Sequence, residues 1–414
     1  MPTKASSVSL LIIMSMFAST EAVADRYIPG NMHRIGVRSS AMGGNHMALS
    51  GEICGAFTNP ATILLSENAT LFSVEGFLPE GPDFDTENGQ NMLRTRQDSP
   101  PLLLGISFTY ADDFAFAIVD GLRYDARYTG HLLVLDNENA HITDFQEEVR
   151  LNTSGFVVAA RALEYWQFGL ALYYDRQKLF KRVDYTVESQ YARMYRDYEA
   201  FGTATALHGG FGVLWTPRGR TSYGMALQTN VDLRNNVRLD QFNEDIIPNP
   251  DDPTNFDESS PVSDDRFPWS LTAGVHHALR PTTDLYGDVA LIYWNDAVNR
   301  DSEVSVSLGG EWRKSPAWGF RGGLYTRLDP SDFTETLPVS EDDARFMEIR
   351  SPTHSTYPAQ NDEVFLTAGA GFKASVFEID ASIEDSHLFA DFGRTIVKLG
   401  LTAVLPTKSS KSAN

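Results

Sequence analysis

The sequence predicts an all-β protein: a membrane-spanning antiparallel β-barrel of about fourteen strands with an N-terminal hatch inside its lumen. Three observations predict it. Segments of about ten residues alternate apolar with polar side chains from residue 69 to residue 405, the links between them alternate short with long, and a secretory leader precedes them all.

The leader comes first. Lys4, the apolar run Val8 to Ala18 and Ala22-Val23-Ala24 ahead of Asp25-Arg26 have the layout of a signal peptide cleaved after Ala24. An apolar run this short, followed at once by a small-residue site, has no core to join as a buried helix. No cysteine stands near the cleavage site, so a lipid anchor is not expected. Beyond the leader no apolar stretch reaches the length of about 20 residues that a membrane-spanning helix needs.

The alternation is clearest late in the chain. Over Ser302 to Lys314, Val304, Val306, Leu308, Gly310 and Trp312 share one face, and Ser305, Ser307, Gly309, Glu311 and Arg313 share the other. Trp318 to Leu328 repeats it, with Arg321, Gly323, Tyr325 and Arg327 on the polar side. Such segments fall at 69–78, 102–111, 114–122, 146–161, 165–178, 203–216 and 223–233 in the first half. The second half supplies 269–279, 284–294, 303–314, 318–328, 363–373, 376–387 and 395–405.

The links give an independent sign. Tight connections at Asp112-Asp113, Leu163-Glu164, Pro217-Gly219, Arg280-Thr282, Ser315-Pro316 and Ala374-Ser375 alternate with long ones. The long ones run over Pro79–Pro100, Arg123–Phe145, Leu179–Gly202, Arg234–Phe267 and Asp329–Asp362, with a shorter one at Asn295–Ser302. Short turns on one rim and long loops on the other are the barrel arrangement, with both termini expected in the periplasm. A soluble β-sandwich also alternates, but its turns lack this order of lengths.

Composition removes other classes. A formal charge of −21 argues against a nucleic-acid partner, which needs clustered Lys and Arg. Cys54 is the single cysteine and reads as a small buried apolar residue. The sequence contains no G-x-S-x-G, no H-E-x-x-H and no paired C-x-x-C, and the adjacent His276 and His277 point to opposite faces of a strand. Neither an enzyme nor a cofactor is expected. The acidic run Glu244 to Asp265, including Asp251-Asp252 and Asp257-Glu258, reads as a solvated loop; a divalent cation is the alternative, although the run lacks EF-hand spacing.

Residues 27–68 lack sustained alternation and carry small residues at Ala41-Met42-Gly43-Gly44 and Asn59-Pro60-Ala61. Small residues and paired glycines suit a segment folded tightly inside a lumen. Both elements resemble the FadL/TodX family of outer-membrane transporters for hydrophobic compounds. Pro268 to Val275, Ile292-Tyr293-Trp294 and Phe320 to Tyr325 look like that family's later strands.

The resemblance implies a fourteen-stranded barrel with an N-terminal hatch, with ligands entering from outside and leaving through the wall. The expected organisation is residues 1–24 as signal peptide, 25–68 as hatch, 69–405 as barrel and 406–414 as a periplasmic tail. Family members commonly end in an aromatic residue. This chain runs on through Pro406 to Asn414, so an internal assembly signal is expected.

The expected role is passive, hatch-gated uptake of long-chain fatty acids or other hydrophobic small molecules by a monomer in the outer membrane of a diderm bacterium. The expected partners are a fatty acid or aromatic hydrocarbon and outer-membrane lipid. PorV-like barrels of secretion systems share the glycine-rich N-terminus, so a binding platform for a secretion or surface-assembly complex is the alternative. Gly43, Gly44, Asn59, Pro60 and Ala61 are the candidate hatch or gating residues, against an ordinary turn at Asn59 to Ala61. Arg313, Arg321 and Arg327 are inward by alternation and are candidate ligand cations; ion pairing within the lumen, for example with Glu311, is the alternative.

Overall fold

The computed structural model describes residues 34–65, 69–80, 83–85, 92–95, 101–110, 113–136, 139–189, 193–245, 255–259, 263–293, 302–328, 362–389 and 395–406. The leader, Asp251-Asp252 and the tail beyond Pro406 lie outside them. No helix among the described residues is long and apolar enough to cross a membrane.

Among the described residues nineteen strands form one sheet. In chain order they are β1 (Ala69–Glu80), β2 (Asp83–Asp85), β3 (Met92–Thr95), β4 (Pro101–Tyr110), β5 (Phe114–Asp136), β6 (Asn139–Leu163) and β7 (Trp166–Ser189). Then follow β8 (Arg193–Trp215), β9 (Thr221–Gln228), β10 (Val231–Asp245), β11 (Asn255–Ser259), β12 (Ser263–Phe267) and β13 (Trp269–Arg280). The last are β14 (Thr283–Tyr293), β15 (Glu303–Arg313), β16 (Trp318–Arg327), β17 (Glu363–Lys373), β18 (Phe377–Asp385) and β19 (Thr395–Pro406). The short pieces β2, β3 and β11 extend hairpins, and β10 and β12 continue β9 and β13. Fourteen antiparallel strands remain as the wall. The wall closes because β1 pairs with β19 from Ala69↔Pro406 to Glu80↔Thr395, which leaves no free edge.

The alternation sorts side chains as the sequence predicts. Val304, Leu308 and Trp312 are exposed on the outside of β15, whereas Ser305, Ser307 and Glu311 are buried inside. Phe72, Leu104, Ile118, Leu170, Leu207, Leu291, Leu366 and Leu401 continue the outer apolar surface around the wall. Apolar exposure on this scale is a lipid-facing surface. Near the short-turn rim, stacked outer aromatics such as Trp166 on Trp215 (5.5 Å) and Trp215 on Tyr223 (5.1 Å) form part of an interfacial belt.

Four expected loops are corrected, and the first, Pro79–Pro100, holds the short strands β2 and β3. Arg123–Phe145, Leu179–Gly202 and part of Arg234–Phe267 are strand: β5 and β6 stay paired out to Asp136↔Asn139, and β7 and β8 to Glu188↔Arg193. Strands of 23 to 25 residues far exceed the roughly 9–11 that cross a bilayer. Where neither face of a sheet meets lipid, residues such as Asp144, Glu148, Arg182 and Asp184 interrupt the apolar alternation. The backbone ladder continues without it.

The lumen has two kinds of wall. Residues 103–109 of β4, 115–121 of β5 and 153–159 of β6 turn no charged side chain inward, and Leu103, Ala115, Ala117, Val119, Val157 and Ala159 are buried there. Across the barrel, β14 to β19 turn in Asp284, Asp288, Glu311, Arg321, Asp380, Glu384 and Lys398, all buried.

Candidate functional site

Residues 34–65 lie inside the barrel against both walls. The chain makes one helical turn, α1 (Val37–Ser40), then two 3-10 turns at Ile53–Phe57 and Pro60–Ile63. Arg34, the first described residue, sits on the long-connection side of this segment: its guanidinium donates to Ser305 and Ser307 and lies 3.9 Å from the Tyr325 ring centroid.

Small residues let the segment touch the wall backbone. Gly43 has φ +76°, and a Cβ there would stand 2.4 Å from the Leu324 carbonyl oxygen. Its amide donates to Thr367 Oγ1 at 2.9 Å. Gly44, at φ +74°, leaves room for the Arg34 side chain.

Asn59 caps the second 3-10 turn by accepting from the Ala61 amide at 3.2 Å. Its Nδ2 donates to Met47 O at 2.7 Å and to Val213 O of β8 at 3.1 Å. Pro60 rests on two bare positions of the wall. A Cβ at Gly169 of β7 would be 2.2 Å from its carbonyl carbon, and one at Gly212 of β8 would be 2.8 Å from its Cδ. Asn59-Pro60-Ala61 is therefore a turn that also joins segment to wall.

The charged wall holds the other half of the segment. Lys398 Nζ of β19 donates to Arg34 O and Ser40 Oγ, each at 2.8 Å, and pairs with Glu384, which also accepts from Tyr325 Oη at 2.7 Å. Glu75 of β1 accepts from the Gly36 amide at 2.9 Å. Asp288 of β14 accepts from the His46 and Met47 amides at 2.7 and 3.2 Å. Burial, with the Arg34 and Lys398 charges nearby, lowers the His46 pKa to about 3, so the imidazole is neutral. Arg38 bridges Glu311 at 2.7 Å and Glu52 at 3.3 Å. Cys54 is buried and donates to Glu52.

The three candidate arginines separate here. Arg321 is buried against Glu311 (2.7 Å), Asp380 and Glu378 (3.6 Å), and Arg313 pairs with Asp284 (2.7 Å) and Glu311 (3.7 Å). Both meet carboxylates, because the adjacent strands turn acids inward at the same height, Arg321 fully buried and Arg313 half-exposed. Arg327 lines a cavity, with its guanidinium 5.2 Å from the Phe365 ring centroid.

That cavity, about 240 Å³, lies between the segment and the long-connection rim. Its lining includes Arg34, Arg123, Arg327, Asp288, Glu303 and Gln228, with Ile35, Met47 and Phe57 as its apolar part. A second cavity of about 200 Å³ shares Arg123, Gln228, Ser270, Thr272 and Glu303 with it and reaches Asp175 and His208. Charged groups thus share the cavity lining with apolar side chains, Ala226, Ala290 and Ile292 of the wall among them. The apolar side of the lumen is filled instead by Ile35, Ile53, Phe57 and Ile63, packed on Leu103, Val119, Leu122 and Val157.

Sequence reasoning missed Lys398 and Arg123. A lone lysine among Val397, Leu399 and Leu401 has inward parity, which was the available signal. Arg123 stands at a register shift between Leu122 and Tyr124, where parity fails. His276 and His277 do diverge, one bonding Asp284 at 3.1 Å and the other Thr221 at 3.0 Å.

Neither a protein-family model nor a curated protein matches the sequence. Solved structures do match in fold. A FadL homologue of Pseudomonas aeruginosa superposes with a TM-score of 0.63 at 12% identity, covering 91% of this chain and 99% of that one. The toluene transporter TodX of Pseudomonas putida gives 0.62 at 12% identity, covering 90% and 99%. The toluene transporter TbuX of Ralstonia pickettii gives 0.57 at 14%, covering 90% and 98%. The chain has the FadL/TodX fold.

Proposed function

On that fold, we propose that the chain is an outer-membrane channel for passive uptake of hydrophobic small molecules, with residues 25–68 as its hatch. Long-chain fatty acids and aromatic hydrocarbons are the substrate classes. The observation that carries the reading is the divided lumen: a cavity facing the long-connection rim adjoins an apolar sector of β4, β5 and β6, with residues 34–65 between it and the short-turn rim. A ligand's polar end suits Arg34, Arg123 and Arg327, and its apolar body suits Ile35, Met47, Phe57, Ala290 and Ile292 of the same cavity. The long strands and acidic segments stand outside the cell, the short turns and residues 406–414 in the periplasm, and residues 1–24 are removed on export.

Asn59, Pro60, Ala61, Gly43 and Gly44 position the hatch in this reading, since the first four stand against the wall backbone at Gly169, Gly212 and Leu324 and Gly44 leaves room for Arg34. The substrate moves down its own gradient, and no cofactor takes part. The test is initial uptake of labelled oleate and labelled toluene by a deletion strain with and without the complementing gene. Higher uptake with the gene is expected. Equal uptake for both compounds refutes the proposal, and stable stoichiometric protein partners on purification would favour the secretion-platform role instead.

A further inference from the structure

The second cavity, of about 200 Å³, is lined by two polar groups that the barrel leaves without a match. The first is Arg123. β5 and β6 pair Leu122↔Asn152 and then Tyr124↔Leu151, so Arg123 is the extra residue of a bulge. Its side chain escapes the strand's parity and lines both cavities. The guanidinium lies 5.8 Å from the Phe57 ring centroid and, unlike those of Arg38, Arg313 and Arg321, forms no ion pair among the described residues.

The second group is His208 of β8. Its side chain is only 8% exposed, and its ring centroid stands 4.6 Å from that of Tyr173. Nδ1 faces Asp175 Oδ2 at 2.8 Å, off the line of a straight hydrogen bond, and Asp175 is fixed in turn by the Thr153 hydroxyl, which donates to its Oδ1. A carboxylate this close favours the tautomer with its proton on Nδ1 and leaves Nε2 as an acceptor. Nε2 has no partner among the described residues, and His208 lines the cavity.

Leu151, Val231, Pro268, Ala290 and Ile292 give the same cavity its carbon surface. Such a site asks for an apolar body with polar groups at two places. Water satisfies Arg123 and His208 while the cavity is open to it. A hydrocarbon that displaces this water leaves a guanidinium and an imidazole nitrogen unpaired, whereas a solute carrying a carboxylate and a hydroxyl replaces both sets of bonds. One aromatic ring fits the size, since a space of about 150 Å³ already holds benzene.

We propose that this cavity is a binding site for hydroxylated aromatic carboxylates, with 4-hydroxycinnamate as the pattern. The carboxylate lies on Arg123, the ring against Val231 and Ile292, and the phenol O–H donates to His208 Nε2. Asp175 is a positioning residue that sets the imidazole tautomer. As a substrate assignment this rests on the uptake reading above, and it adds a polar requirement that toluene lacks at both ends and oleate at one.

The test is isothermal calorimetry on the purified full chain, with 4-hydroxycinnamate, cinnamate and methyl 4-hydroxycinnamate as probes. Only protein whose electrophoretic mobility shifts on heating, as that of folded barrels does, is used. Wild type is expected to bind 4-hydroxycinnamate about tenfold tighter than cinnamate, one hydrogen bond being the difference. His208→Leu is expected to abolish that preference, and His208→Gln, which keeps an acceptor, to retain part of it. Arg123→Gln is expected to weaken both acids about tenfold or more and leave the ester unchanged.

Equal affinity of wild type for 4-hydroxycinnamate and cinnamate overturns the proposal, and that comparison needs no variant. So does an undiminished preference in folded His208→Leu, or an unchanged affinity for both acids in folded Arg123→Gln. Uptake by the deletion strain with and without the gene separates the two readings. Gene-dependent uptake of toluene and oleate, without any preference for the hydroxyl in binding, keeps the channel and overturns this site. Hydroxyl-dependent binding with no gene-dependent uptake of toluene, oleate or 4-hydroxycinnamate keeps the site and refutes the channel.

Discussion

Gly169→Ala places one methyl group where the wall meets Pro60. The new Cβ would stand 2.2 Å from the Pro60 carbonyl carbon and 2.3 Å from the Ala61 nitrogen, both backbone atoms that no rotamer change can move aside. Carbon atoms settle at about 3.5–4.0 Å, so the turn must withdraw by about 1.3 Å or more. That stretches the 3.1 Å bond from Asn59 to Val213 O beyond hydrogen-bond range. Overpacking costs about 1–3 kcal/mol and the lost bond about 1 kcal/mol. The wall keeps its pairing, since Ala159, Gly169 and Gly212 need only backbone to stay in register.

A net local loss of about 2 kcal/mol corresponds to about thirtyfold faster opening. Hydrogen exchange followed by mass spectrometry reads it at Ala61 and Thr62, whose amides bond Asn59 Oδ1 and Asn59 O. Expected are faster exchange over Asn59 to Ile63 and unchanged exchange in β6 and β8. Exchange over Asn59 to Ile63 within threefold of wild type, in folded protein, would refute the reasoning that bare wall positions seat the turn.

Lys398→Met leaves the buried Glu384 without its cation and removes two bonds to the segment, a loss of about 3–5 kcal/mol that thermal unfolding should record. Adding Glu384→Leu should restore most of it. Arg327→Ala should weaken binding of a fluorescent long-chain fatty acid about tenfold or more, a charge-assisted bond of about 1.5–3 kcal/mol being lost, while Arg313→Ala leaves that affinity unchanged. The folded pKa of His46 lies far below its unfolded value, so stability is retained above about pH 6.5 and falls as the pH drops toward 3. The thermal midpoint should accordingly fall less between pH 7 and pH 4 in His46→Gln than in wild type.

What was legible depended on whether lipid touched it. Glu303–Arg313 and Trp318–Arg327 are almost the segments that period-two alternation marks, because outer leucines and inner serines or acids report the two faces directly. The outer reaches of β5 to β8 have the same ladder without that contrast and read as loops. Ala41 to Gly44 and Asn59 to Ala61 stood out as small residues needing close approach, but their partners did not. Gly169, Gly212 and Thr367 become neighbours of the segment only once the wall closes. Parity placed Arg313 and Arg321 inside correctly. It gave no information on cross-strand neighbours, and Asp284, Glu311 and Asp380 decide that both are occupied.

The bonds from Glu75 and Lys398 have a consequence for the order of events during assembly. Those residues belong to the first and last strands, which meet along the seam from Ala69↔Pro406 to Glu80↔Thr395. More than 300 residues separate them, so this pairing has the costliest loop closure in the molecule and comes late. Residues 34–40 touch both sides of the seam, Gly36 through β1 and Arg34 and Ser40 through β19. A segment in that place is enclosed as the sheet curls and then fastens the join from within. Its own docking is complete only when the circle is, and barrel closure and segment seating become one cooperative step.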